Sequence, residues 1–257
     1  LDDLEAILEV LKASLGETSS KKTEAVWRYK HIDNPFGESL VLLAEENNEI
    51  IGVRAFMQWR WQMGEKFYQA FRAVDTATHP KHQGKGVFKK LTLKALEVSK
   101  VKGYNFIFNT PNSQSKPGYL KMGWEEVSKI GIEVIPTGKI FKSAVEKANY
   151  AGENLSSKIF EKMLINANGS NSSLSTPLSV EYLKWRYHKN PLQDYIIKST
   201  QDYYLAAYLK KQKYFNEFRV SQLVFDDTNA LVKKELRKLL MQLARQFNAN
   251  LITLSSV

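Results

Sequence analysis

Gly84 and Gly86 flank Lys85 in His82-Gln-Gly-Lys-Gly-Val-Phe88, between a stretch that alternates apolar and polar residues and one with helical periodicity. Glycines at a strand-to-helix turn let successive backbone N–H groups point at one spot, and the N-terminus of the following helix adds partial positive charge there. That combination suits a phosphate or pyrophosphate. The spacing lacks the Gly-x-Gly-x-x-Gly of a dinucleotide fold and the Gly-Lys-Ser/Thr ending of a P-loop, so neither of those nucleotide-binding classes is favoured.

The flanking segments give the turn its place. Phe71 to Ala77 alternates with β-formers at Phe71, Val74 and Thr76. Thr78-His79-Pro80 stops it, because proline cannot donate to a ladder and biases its predecessor away from helix. Val87, Leu91, Leu93, Ala95, Leu96 and Val98 then recur at helical spacing as far as Lys102-Gly103, a helix end. Upstream, Ser39–Ala44 and Glu49–Phe56 read as strands joined by turn residues Glu46-Asn47-Asn48, and Leu1–Leu15 reads as an amphipathic helix with acids near its front rather than a signal peptide. Downstream, Tyr104–Phe108 reads as a buried strand leading to Asn109-Thr-Pro-Asn112 and, seven residues after Asn112, to Tyr119.

Over about residues 40 to 130 this pattern resembles the GNAT superfamily of N-acetyltransferases. Gln83-Gly84-Lys85-Gly86-Val87-Phe88 is similar to that family's pyrophosphate turn, with Phe88 in place of a small residue. Asn112, Tyr119, Lys121, Gly123 and Trp124 follow its Asn…Tyr-x-Lys-x-Gly-Phe signature, with Trp for Phe. The resemblance implies acetyl-CoA as donor substrate, with the backbone at Ala77 and Thr78 along the pantetheine arm, Gln83, Gly84, Lys85, Gly86, Val87 and Phe88 around the pyrophosphate, and Asn112 on the pantetheine. It implies Tyr119 as the general acid that protonates the departing thiolate, a role open to a phenol that is protonated at neutral pH. The attacking amine needs a base; Asp75 is the first candidate, with His79 and Glu125 behind it. Trp59 and Trp61 share one face of their strand, where stacking on a flat acceptor competes with core packing.

The chain also repeats itself. Trp27-Arg-Tyr-Lys-His-Ile-Asp-Asn-Pro35 recurs as Trp185-Arg-Tyr-His-Lys-Asn-Pro191, and Phe71-Arg-Ala-Val aligns with Phe218-Arg-Val-Ser. In the second copy the turn is replaced by Phe225-Asp-Asp-Thr-Asn-Ala-Leu231, whose carboxylates would repel a phosphate, and no counterpart of Asn112 or Tyr119 follows. The expected architecture is α/β: a GNAT-like mixed central sheet flanked by helices, duplicated, with the second unit incomplete. The expected divisions are 1–135 for the unit that binds acetyl-CoA, 136–178 for a helical connection and flexible linker, and 179–257 for the degenerate unit. Gly138–Leu164 suits one or two amphipathic helices, and Asn166–Ser173 a flexible junction.

Composition bounds the rest. With no cysteine among 257 residues, disulfides, thiolate zinc sites and a cysteine nucleophile are excluded, and no metal is expected. No run of apolar residues is long enough to span a membrane, and a cytoplasmic location is the default expectation. The net charge of +10 invites a nucleic-acid partner. An aminoacyltransferase that draws on charged transfer RNA through tandem units of this kind, and a silent module that binds coenzyme A, are the alternatives. The lysines are spread along the chain as solvated faces, and an intact turn would be superfluous for a transfer-RNA donor. The expected partner is therefore a small-molecule amine acceptor, amino sugars among the candidates, with direct attack in a ternary complex.

Overall fold

The computed structural model describes residues 2–17, 20–138, 155, 158–169, 172–226 and 228–256. These form two compact units, Leu1–Glu126 with Ser172–Pro177, and Val127–Asn171 with Leu178–Val257. In the first, helices α1 (Leu4–Leu15) and α2 (Glu24–His31) precede strands β1 (Leu40–Glu46), β2 (Glu49–Met63) and β3 (Lys66–Thr78). Helix α3 (Val87–Val101), strand β4 (Phe106–Phe108) and helix α4 (Lys116–Lys121) follow. The sheet order is β1-β2-β3-β4, antiparallel except for the parallel β3–β4 pair.

β2 is apolar on both faces because both are covered. Leu4, Ile7, Val10 and Leu11 of α1 pack with Trp27, Val53, Ala55 and Ala77. Ala95 of α3 packs with Phe56, Phe71 and Ala73, while Val87 and Leu91 meet Ile51. Asn47 and Asn48 both take left-handed backbone (φ 54° and 63°), the two-residue turn that matches strand twist. Gly52 lets α3 approach: a Cβ there would lie 2.6 Å from Val87 Cγ1.

Two features of this sheet open a cleft. Arg54 pairs with Thr76 but Ala55 pairs with Val74, so Asp75 is an extra residue bulged from β3, with φ 37°. The parallel ladder from β3 to β4 covers only Ala70–Arg72 opposite Phe106–Phe108. Beyond it the chain at Asn109–Asn112 leaves β3, so Val74–Thr78 stay paired with β2 on one edge and face a gap on the β4 side.

The second unit contains β5 (Gly131–Pro136), α5 (Lys158–Gly169), α6 (Val180–Leu183) continuing into a π-helical turn (Lys184–His188), β6 (Ile196–Ser199), β7 (Tyr203–Lys211), β8 (Asn216–Phe225), α7 (Ala230–Gln246) and β9 (Leu251–Ser256). Its sheet runs β5-β9-β8-β7-β6, with β8 and β9 parallel and the other pairs antiparallel. α7 buries Leu240, Leu243 and Ala244 on Leu205, Phe218, Val220 and Ile252. A bulge recurs here: Ala206 pairs with Gln222 and Ala207 with Val220, leaving Ser221 unpaired. The hydroxyl of Tyr187 donates to the Ser221 carbonyl at 3.2 Å.

Two boundaries differ from the sequence reading. The first unit closes at Glu126 rather than 135, because β5 pairs with β9 in the second sheet. The polar stretch from Asn166 is helical as far as Gly169, and farther on Ser175 bridges to Gln62 while Thr176 accepts from the Trp59 indole at 3.0 Å. Most of the Gly138–Leu164 stretch lies outside the described residues. Among the described residues no helix is long and apolar enough to cross a membrane.

Candidate active site

The gap beside the bulge is a cleft of about 760 Å³, within the range of small-molecule sites. Asp75, Ala77 and Thr78 line it from β3, Gln83, Gly84, Gly86, Val87 and Phe88 from the turn and the first residues of α3, and Asn112 and Tyr119 from the far wall. Ser14 and Leu15, at the end of α1, line it as well.

Gly84 and Gly86 both have left-handed φ, 81° and 77°, with open space where a Cβ would be. Backbone conformation, not crowding, therefore requires glycine there. Gly86 caps α3 with no side-chain hydrogen bond, and the first turn contains no acid. The opening N–H groups of α3 have no intrahelical partner. Lys89, in the same first turn, works against the helix dipole and lines the cleft. A bound anion would reverse that penalty, so these residues fit a phosphate group. In the second unit the start of α7 is capped by a side chain: Asn229 accepts from the N–H groups of Leu231 and Val232.

Lys85 does not line the cleft. Its ammonium lies 2.9 Å from Glu46 Oε2, and this hydrogen bond, together with the lysine's charge, holds the exposed Glu46 carboxyl below its usual range.

Tyr119 is buried on α4 between aromatic rings, edge-on to Phe88 at 5.5 Å between centroids and 4.7 Å from Trp124. Phe88 is thus a buttress for the tyrosine, and Gly118 makes room for it, since a Cβ there would meet the Phe88 ring at 3.0 Å. Pro117 is tolerated because it lies in the first turn of α4. Asn112 Oδ1 accepts from the Ser115 N–H and hydroxyl, both at 2.9 Å, which holds the wall that carries Tyr119.

Asp75 lines the cleft but is not built as a base. Lys30 Nζ lies 2.9 Å and His31 Nε2 3.0 Å from Oδ2. Burial opposes the charge, but the hydrogen bond from His31 and the charge and hydrogen bond of Lys30 outweigh it, leaving the carboxyl far below the usual carboxylate range. A carboxyl held so low takes no proton near neutral pH. Since the carboxylate can only accept, His31 donates through Nε2, and the other ring nitrogen meets the Ser39 hydroxyl at 2.8 Å. The anchoring pair Lys30–His31 belongs to the repeated Trp-Arg-Tyr segment, whose sequence gives no sign of its reach to Asp75.

The sequence reading also passed over Arg54. Its one signal is a charge inside the otherwise apolar run Ile50–Met57. The side chain is wholly buried and donates to Tyr119 Oη at 2.7 Å and to the Thr76 hydroxyl. Trp59 and Trp61 pack edge-on against Phe108, which satisfies the core reading of that aromatic pair.

Residues 1–127 match the family model described as Acetyltransferase (GNAT) domain. The fold is similar to that of a GCN5-related N-acetyltransferase from Anabaena variabilis ATCC 29413, at TM-score 0.71 and 12% identity over 99% of this chain and 63% of that one. A GCN5-related N-acetyltransferase from Kribbella flavida is similar at TM-score 0.66 and 14% identity, covering 100% and 62%, and Eis1 from Mycobacterium abscessus at 0.61 and 13%, covering 98% and 62%. The chain thus spans under two thirds of the length of these structures. No curated protein sequence matches it.

Proposed function

We propose, on the premise of an N-terminal GNAT acetyltransferase domain, that this protein is an N-acetyltransferase that moves an acetyl group from acetyl-CoA to an amine. The observation that carries the reading is the pairing of an uncapped, acid-free start to α3 with Tyr119 across one cleft. The pyrophosphate would rest on the N–H groups that open α3, and the pantetheine arm would lie along Ala77 and Thr78 in the gap between β3 and the Asn109–Asn112 segment. The amine nitrogen attacks the thioester carbonyl, the C–S bond breaks with its electron pair on sulfur, and the Tyr119 phenol gives that sulfur its proton. The amine's proton leaves to water, since Asp75 cannot take it. Asp75 instead fixes the bulge that opens the cleft.

The second unit we read as a degenerate copy of the first. Its sheet repeats the strand order and sense of the first, with a bulge at the corresponding place, and Phe71 and Phe218 each sit opposite an isoleucine of the parallel neighbour, Ile107 and Ile252. Its filled helix start leaves no seat for a pyrophosphate.

Calorimetric titration with acetyl-CoA tests the donor assignment. Micromolar binding is expected for the native protein and loss of at least tenfold in affinity for Gly84→Asp with Gly86→Asp, which puts carboxylates where the phosphates would sit. Absence of binding to the native protein would overturn it.

A further inference from the structure

Arg54 is 0% exposed, yet among the described residues its guanidinium has no carboxylate partner. One terminal nitrogen donates to Tyr119 Oη at 2.7 Å and to the Thr76 hydroxyl, while Nε and the other terminal nitrogen have no partner among the described residues. Its remaining neighbours are ring faces, Phe56 at 4.6 Å, Tyr119 at 5.3 Å and Phe88 at 5.8 Å. Burial pushes the guanidinium down from its usual value. Burying an uncompensated cation is costly, and an apolar side chain of similar size would serve the fold as well or better. A residue kept at such a cost does something other than hold the fold together.

Its position says what. Arginine is a pure donor, so the phenol oxygen must accept from it, and the phenol hydrogen must point elsewhere. Arg54 itself is absent from the cleft lining, whereas Tyr119 and Thr76 both line it. We propose that Arg54 is the positioning residue of this site: it turns the Tyr119 hydroxyl toward the cleft and places its charge behind the sulfur that becomes a thiolate. The inference rests on the acetyl-transfer reading. In the step it serves, the C–S electron pair goes to sulfur, the phenol proton follows, and the phenolate left on Tyr119 is held by the guanidinium until solvent in the cleft returns a proton. The chain of donors from Arg54 through Tyr119 to sulfur is one in which each bond strengthens the next.

The test needs no acceptor. Free CoA and acetyl-CoA differ at the sulfur, and as the pH rises from 7 to 9 only the free thiol of CoA can shift toward thiolate. In the native protein the affinity for CoA relative to acetyl-CoA should rise about tenfold across that interval, a coupling of ordinary size. The titratable group facing the guanidinium is Tyr119, and the nearby Asp75 carboxylate is engaged by Lys30 and His31. Arg54→Met should flatten the rise while leaving acetyl-CoA affinity within twofold and the melting temperature at or above that of the native protein. Arg54→Lys should restore part of the rise, and Tyr119→Phe should abolish it, with no further change in the double variant. An Arg54→Met protein that keeps the full rise would overturn the inference, as would one that melts lower and loses both ligands together. Failure of the native protein to bind either ligand would instead strike at the donor assignment on which the inference stands.

Discussion

Asp75 joins backbone strain to an ion pair at the wall of the cleft. A non-glycine residue at φ 37° is strained, and here the strain accompanies the extra residue that bends β3 away from β4. Lys30 and His31, both from α2, close on its carboxylate and fix the bulge. Its folded value lies below the ordinary one, so the pair contributes stability that is fully present above about pH 4 and is lost as the pH falls through the folded value. Asp75→Asn leaves Lys30 without its counter-charge and is expected to cost about 3 kcal/mol at pH 7. Urea unfolding should show that difference narrowing by roughly 1.4 kcal/mol per pH unit below about pH 4. A difference that stayed constant from pH 7 to pH 3 would mean that the carboxylate is not what holds the bulge.

At the scale of elements, the two helices that follow a bulged strand have opposite beginnings. α3 starts on a left-handed glycine with no side-chain cap, and α7 starts on Asn229, whose side chain caps two N–H groups. Asn229→Ala is expected to destabilise the second unit by about 1 kcal/mol, read by urea unfolding, and to leave acetyl-CoA affinity unchanged. A drop in affinity would place the ligand at the wrong helix. The turn before α3 was legible in the sequence because glycine and proline punctuate it, and so was the absence of such a turn from Phe225–Leu231, before α7. There the sequence suggested repulsion by carboxylates, whereas the structure shows an asparagine already using the donors. The bulge was not legible, because register belongs to two strands at once and Asp75 is an ordinary residue in a β pattern. Arg54 was hidden for a related reason: its partners Thr76 and Tyr119 lie 22 and 65 residues away. β5 was placed in the first unit by proximity along the chain, but its pairing partner β9 is more than a hundred residues downstream.

At the scale of the whole molecule, charge and binding chemistry part company. Residues 1–126 carry 18 basic and 16 acidic side chains, and residues 127–257 carry 19 and 11, so the excess positive charge belongs to the unit whose helix start is already capped. The basic balance is therefore no guide to the proposed coenzyme site, whose uncapped helix start and left-handed glycines lie in the other unit. Each unit has its own buried core, Val53, Ala55 and Ala77 with α1 in one, Leu205, Phe218 and Ile252 with α7 in the other. A ligand stabilises only the structure that binds it, by about 2.7 kcal/mol at a hundred times its dissociation constant. Amide exchange reads such stabilisation locally, because separate parts of a protein open with separate free energies. With saturating acetyl-CoA, exchange should slow in Val74–Phe88 and Asn109–Tyr119, the segments that line the cleft, while the buried turns of α7 around Leu236, Leu240 and Leu243 keep their rates. Equal slowing in α7 would show that the second unit shares in binding, and the filled cap at Asn229 would then have to open to admit it.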